Sequence, residues 1–169
     1  TQLLSVLIIF LLATPIQAQW QVSILPYENK TDAPQQEWYK RGISESVVVA
    51  LYKVPQIRLV DETPFGDTWQ NAVGDATLMN KKNIHVVLQG WYQQRGNQLK
   101  IHTDIVEASN GKIRKSITSE TATQHPQKAI SEIVLALMEN LDISLQPEQK
   151  TAVQKPISER FKNYQTTIN

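Results

Sequence analysis

The side chains that could do acid–base or metal chemistry are few in this 169-residue chain, because it has three histidines and no cysteine. His102 and Asp104 are the pair best placed for such chemistry, since residues two apart on a strand point to the same face. An imidazole beside a carboxylate can bind a metal ion or exchange a proton. The sequence shows no third ligand for them, so we interpret the two residues as a pair on a solvated strand face.

The motifs that mark common active sites are missing from the sequence. It contains no glycine-rich phosphate loop, no Gly-x-Ser-x-Gly turn and no His-Glu-x-x-His helix. His85 lies in an apolar stretch and reads as a buried imidazole, while His125 precedes Pro126 and reads as a loop residue. Asp61 and Glu62 are adjacent, so on a strand they would face opposite sides. We therefore expect no catalytic residues, no cofactor and no metal site, and predict that the protein is not an enzyme.

The overall charge argues against a nucleic-acid partner. Lys and Arg number 17 against 16 Asp and Glu, which leaves a net charge of +1. Proteins that bind nucleic acid through the phosphate backbone usually carry a marked basic excess. An apolar fraction of 41% favours a folded chain over a disordered one.

The first 27 residues carry no charge at all. Leu3–Ala13 contains ten apolar residues in eleven, Pro15 interrupts the run, and Ala18 precedes Gln19. This pattern is typical of a secretory signal peptide, and it is shorter than the roughly 18 to 20 apolar residues of a spanning helix. We expect residues 1–18 to be a signal peptide or a retained N-terminal anchor. The rest would then be periplasmic or exported, with residues 1–18 as its one membrane attachment if they are uncleaved.

The hydrophobic pattern predicts a single sheet in the order β-α-β-α-β-β-β-α. Period-two alternation is clearest at 99–105, and four-residue steps from Ile43 onward predict an amphipathic helix. Predicted strands cover 21–27, 57–60, 84–94, 99–105 and 113–121, and predicted helices cover 35–54 and 67–82 and begin again at 126. Asn110-Gly111 predicts a type I′ hairpin turn. The fold class is α+β (mixed α/β), with helices packed mainly on one face.

The order of several short motifs resembles a known family. QVSILPYEN at 21–29 is similar to a strand that ends in Leu-Pro-Phe-x-Asn, with Tyr27 in the place of Phe. Arg41–Glu45 (RGISE), Val86–Trp91 (VVLQGW) and Asn110-Gly111-Lys112 follow in the family's order. Together these segments resemble TolB amino-terminal-type domains, the domain that also precedes tetratricopeptide repeats in bacterial envelope and regulatory proteins. The repeats themselves are absent from this sequence.

The resemblance implies a non-catalytic docking module. It implies a TolB amino-terminal-like domain over residues 19–145, with the polar residues 146–169 as a linker or a truncated C-terminal extension. The expected role is an exported adaptor or scaffold that binds other envelope proteins in a bacterial envelope assembly. The alternative is a ligand-sensing domain coupled to an absent C-terminal repeat module.

Aromatic residues supply the candidate docking positions. Trp91 and Tyr92 are consecutive on a predicted strand, so one of them must face outward. Trp20 lies beside the expected cleavage site, in a segment that we expect to be mobile. The resemblance implies partner docking by this N-terminal segment, which makes Gln19, Trp20 and Gln21 candidates as well, through addition to a partner's sheet.

Overall fold

The computed structural model describes residues 19–31, 38–60 and 72–154. The expected signal or anchor at 1–18, the carboxylates Asp61 and Glu62, and the chain beyond 154 lie outside the described residues. Within them the strands are β1 (Trp20–Ile24), β2 (Glu28–Asn29), β3 (Ile57–Leu59), β4 (Val86–Arg95), β5 (Gln98–Glu107) and β6 (Ile113–Ala122). The helices are α1 (Trp38–Leu51), α2 (Ala76–Lys81), α3 (Gln127–Asn140) and α4 (Pro147–Gln154).

All six strands join one mixed sheet in the order β3-β1-β4-β5-β6, with β2 also paired to β4. β1 runs parallel to β3 and β4, and β2 runs parallel to β4. β4, β5 and β6 form an antiparallel meander. The parallel half requires helical crossovers and the meander requires only hairpins. The predicted mixed α/β class and single sheet are confirmed, and β2 and α4 are additions to the predicted order.

Helices α1 and α3 cover one face of the sheet. Apolar residues at four-residue steps along α1 pack against alternate residues of the strands, because a helix and a strand present one face at those two periods. We call this shared cluster the main core. It includes Ile43, Val47, Leu51, Leu88, Ile101, Ile105, Ile130, Ile133 and Leu137. The short helix α2 covers part of the opposite face, near the start of β4 and the end of β5. There Met79 packs with Ile84, Val87 and Val106.

Among residues 19–31, 38–60 and 72–154, no helix covers the rest of that opposite face. We call it the open face and define it by the alternate residues of the meander that point away from α1 and α3, beyond the part that α2 covers. No described helix places buried residues against it. Its members are Gln89, Trp91, Gln93, Lys100, His102, Asp104, Ser116, Thr118 and Glu120.

The packed structure continues past residue 145. Pro147–Gln154 forms α4, whose Val153 is buried against the main core. The backbone carbonyl of Ala152 accepts a hydrogen bond from Lys53 Nζ at 3.0 Å, just beyond the end of α1. The sequence is polar here, but one apolar residue on the inner side and this contact hold the helix on the domain.

The loop between β5 and β6 differs from the predicted type I′ turn. Such a turn needs positive φ at two consecutive residues, and in this loop only Gly111 has it, at 70°. Gly111 N donates to Glu107 O at 2.9 Å, and Asn110 Oδ1 accepts from Lys112 N at 2.9 Å. The predicted hairpin is present, but the type I′ geometry was wrong because five residues, not two, connect the strands.

We predict that Gly90→Ala strongly destabilises the domain. A Cβ at this position would lie 2.0 Å from His102 O and 2.8 Å from Tyr27 Cε1, so the sheet or the tyrosine must move. Overpacking a well-packed core costs about 1–3 kcal/mol and occasionally more. Urea unfolding should show a loss of at least about 2 kcal/mol. The matched control is Gly96→Ala, which meets no atom within 4 Å but has φ of +57°; its cost should be about 1–2 kcal/mol, from backbone strain alone. A smaller loss for Gly90→Ala than for the control would contradict the close approach.

Candidate functional site

A buried tyrosine holds the segment that leads to the open face. The ring of Tyr27 lies against Gly90, and its hydroxyl is 2.8 Å from Thr103 Oγ1. Burial raises the pKa of Tyr27, because the ionised phenol would lose its water. Beyond it, Lys30 N donates to Tyr92 O at 2.8 Å. The chain after Tyr27 is therefore fixed alongside β4.

This arrangement places a three-member stack on the open face. Trp91 faces His102 across the β4–β5 pair, and the two rings stack with centroids 5.2 Å apart at 16°. Lys30 Nζ lies 5.4 Å from the centroid of the Trp91 ring. A cation over an indole face contributes about 0.5–1 kcal/mol at an exposed site. Trp91 is half-buried and its position is set from both sides.

Both ring nitrogens of His102 are in hydrogen bonds. Nε2 is 3.1 Å from Asp104 Oδ1, and Nδ1 is 2.9 Å from Thr118 Oγ1. Ser116 Oγ donates to the same Asp104 oxygen at 2.5 Å. Among the residues that the structure describes, no group of three or more His, Cys, Asp or Glu could hold a metal ion. These hydrogen bonds hold the imidazole ring in one orientation, and the stacked indole of Trp91 is held with it.

Tyr92 points to the opposite side of the sheet from Trp91. Its side chain is fully buried in the main core, with its ring centroid 5.8 Å from that of Tyr39. A partner cannot reach it without unfolding the domain. Of the two consecutive aromatic residues, the accessible one is Trp91, and we leave Tyr92 out of the docking surface.

The segment Gln19–Gln21 is the start of a central strand and not a free arm. Trp20 N donates to Gln56 O at 2.8 Å on one side, and Gln21 N donates to His85 Nδ1 at 3.1 Å on the other. Because β1 lies between β3 and β4, this backbone cannot add to a partner's sheet without leaving its own. The side chain of Gln19 is exposed and donates to Pro55 O at 3.1 Å.

Trp20 closes the end of the main core. Its ring meets His85 edge-on at 5.7 Å, and the Arg114 guanidinium lies 5.5 Å from its centroid. Arg114 also forms an ion pair with Glu107. The mobility expected for Trp20 does not fit these contacts, which give the residue a packing role.

Sequence reasoning missed Lys30 and the residues around the tip of the β4–β5 hairpin. A cavity of about 180 Å³ opens there, lined by Gln93, Arg95, Gln98, Leu99, Lys100 and Glu120. We call it the tip cavity. Lys100 Nζ lies 3.1 Å from Glu120 Oε1 within it. The alternation along β5 predicted which β5 residues face this side of the sheet. It could not predict which residues of β4 and β6 lie next to them.

Comparisons with known proteins identify the fold. No protein-family model matches the chain, and no curated protein matches it. The structure of TolB from Acinetobacter baumannii aligns over 73% of this chain with a TM-score of 0.57 and 13% identity. The chain has a TolB amino-terminal-like fold. It spans 28% of the TolB chain.

Two further structures are similar to this TolB-like domain at lower scores. The LpoB C-terminal domain from Salmonella enterica aligns over 70% of this chain and 94% of its own, with 15% identity and a TM-score of 0.47. Lipoprotein GNA1162 from Neisseria meningitidis aligns over 75% of this chain and 99% of its own, with 16% identity and a TM-score of 0.49. In the described ranges, every helix is too short or too polar to cross a membrane.

We predict unequal losses of stability for removing the two tryptophans. Trp91→Ala should change the free energy of unfolding by at most about 1 kcal/mol, because the residue lies on the open face and belongs to neither core cluster of the described residues. Trp20→Ala should cost about 2–4 kcal/mol, because its partly buried ring packs against the core cluster. Urea unfolding of the two variants measures both. A larger loss for Trp91→Ala than for Trp20→Ala would contradict the assignment of Trp91 to the surface.

We predict a loss of stability at alkaline pH that depends on the buried tyrosines. Burial raises the pKa of Tyr39 from 10.0 to about 12 and raises that of Tyr27 further. Their contribution is complete below the unfolded pKa near 10 and is lost as pH rises towards 12 and beyond, since the unfolded chain then releases protons more readily. Urea unfolding at pH 8 and pH 11 should show the fall. Tyr27→Phe should make the fall shallower, and an unchanged slope would contradict the burial effect.

Proposed function

We propose that this domain is a non-catalytic exported adaptor that binds other proteins in a bacterial envelope assembly. The TolB-like fold supports this role, because the sequence resemblance to TolB amino-terminal-type domains implies docking modules of the envelope. The uncharged run before residue 19 supports export, with residues 1–18 as the membrane attachment if they are retained. The near-zero net charge gives no support for a nucleic-acid partner.

The observation that carries the proposal is the Lys30–Trp91–His102 stack on the open face. Aromatic side chains dominate the energy of protein–protein interfaces. An indole already held by contacts with two side chains loses little conformational entropy when a partner covers it, so more of the contact energy remains as affinity. A site of this kind suits docking, since it offers a rigid apolar edge with polar groups around it.

The geometry favours docking over the sensing of a small ligand. The tip cavity measures about 180 Å³, below the roughly 300–1,000 Å³ of sites that enclose small molecules. The open face is instead an extended sheet surface, which a protein partner can cover. Contacts by Gln19 and Gln21 at the far end of β1 stay a prediction and would be made by their side chains.

We predict that a photo-crosslinking amino acid at Gln89 captures a partner in the native cell envelope. Gln89 lies on the open face two residues from Trp91, so the stack stays intact. Adducts should form at this position and should be lost with the additional change Trp91→Ala. The measurement is the adduct yield on gels, with mass spectrometry of the captured protein.

The matched control is the same amino acid at Tyr52. Tyr52 is 74% exposed and follows α1 on the helix-covered side of the domain. It should give at most a small fraction of the Gln89 adduct. Equal adducts at the two positions, or adducts at Gln89 that survive Trp91→Ala, would count against docking through the open face.

A further inference from the structure

The tip cavity is adjacent to the Trp91 stack. Gln93 lines the cavity and is two residues from Trp91 on the same strand and face, which puts the two side chains about 7 Å apart. Gln93 Nε2 also donates to Lys30 O at 3.3 Å, so a residue that lines the cavity is bonded to a residue of the stack. A partner that covers Trp91 therefore lies within one side chain's reach of the cavity.

The cavity has an excess of positive charge. Arg95 and Lys100 line it against the single carboxylate of Glu120, which leaves a net charge of +1. Lys100 already pairs with Glu120 at 3.1 Å. Within the described part of the chain, Arg95 has no carboxylate within 4 Å, and its side chain is exposed at the hairpin tip. Among residues 19–31, 38–60 and 72–154, the guanidinium of Arg95 thus has no carboxylate partner.

The size of the cavity restricts what can occupy it. A volume of about 180 Å³ is too small for a drug-sized ligand and is sufficient for one amino-acid side chain. The walls supply the amides of Gln93 and Gln98 beside the guanidinium of Arg95. A guanidinium binds a carboxylate through two parallel hydrogen bonds, which no neutral side chain can match.

We infer that the tip cavity accepts an aspartate or glutamate side chain of the protein that docks on the open face, with Arg95 as its ion-pair partner. The inference rests on the proposed docking function and adds to it the chemistry of the partner: an acidic residue within reach of the segment that covers Trp91. Lys100 remains with Glu120 and positions the cavity wall.

The test uses the full chain with the photo-crosslinking amino acid at Gln89 and compares two charge-removing variants. Arg95→Gln keeps an amide in the cavity and removes the guanidinium. The control is Arg58→Gln, an exposed arginine on β3 at the opposite edge of the sheet. Arg95→Gln should lower the adduct yield about tenfold, as expected when one partner of a half-enclosed charge pair is removed. Arg58→Gln should leave the yield within about twofold of the unchanged chain.

The captured peptide supplies a second readout. Positions 89 and 95 are six residues apart on β4, about 20 Å along the strand, so mass spectrometry should find an Asp or Glu at about that distance along the captured partner. Changing that residue to Lys should abolish the adduct. Pairing that change with Arg95→Glu should restore it, which a merely structural role for Arg95 would not do. Equal yields for Arg95→Gln and Arg58→Gln, or a captured segment without an acidic residue, would overturn the inference and leave the docking function standing.

One crosslinking outcome would count against both proposals. No adduct in the unchanged chain would remove the docking function and this inference with it.

A second experiment tests whether the cavity binds a free anion. N-acetyl-glutamate N-methylamide and its glutamine analogue can be titrated by NMR. We expect weak, millimolar shifts at Gln93 and Gln98 with the glutamate form alone. Micromolar binding of the free glutamate form would show that the cavity serves a small carboxylate and would overturn a docking role.

Discussion

The contact between Tyr27 and Gly90 is the constraint on which the rest of this domain depends. The Tyr27 ring approaches β4 closely at a residue that has no side chain, and a Cβ at position 90 would collide with it. The hydroxyl–hydroxyl contact with Thr103 then leaves the buried phenol oxygen paired. From this fixed point the chain runs along β4 and brings Lys30 over Trp91. A packing feature on the helix-covered face thereby determines the geometry of the open face.

Trp20 and Trp91 have the same kinds of ring contact but different roles. The ring of Trp20 contacts Arg114 and His85, and the ring of Trp91 contacts Lys30 and His102. Cation and imidazole contacts hold an indole in place in either case. What differs is the surroundings, because the first stack closes the core and the second stands on a sheet face that no described helix covers. Both side chains are partly buried, so contact with the core, and not exposure or the local chemistry, separates a packing tryptophan from one that a partner can reach.

Much of the fold could be predicted because its signals are local. Alternation along β5 and four-residue steps along α1 fixed the class and the single sheet. The docking stack could not be predicted in the same way, since it depends on which strands are neighbours. Lys30 and Trp91 are far apart in the chain, and only the parallel pairing of β2 with β4 joins them. Helix α4 was missed for a similar reason: its sequence is polar, and tertiary contacts of Val153 stabilise it.

A net charge near zero is compatible with charge-selective docking. The +1 of the whole chain sums many pairs that satisfy one another, such as Lys100 with Glu120 and Arg41 with Glu45. Pairs of this kind contribute little to binding, because each charge already has its partner and both are screened by solvent. Recognition depends on the charges that remain unpaired at a place a partner can cover. Arg95 at the hairpin tip is such a charge, and it lies beside the rigid aromatic edge that would supply the affinity, so selectivity and affinity arise from adjacent parts of one surface.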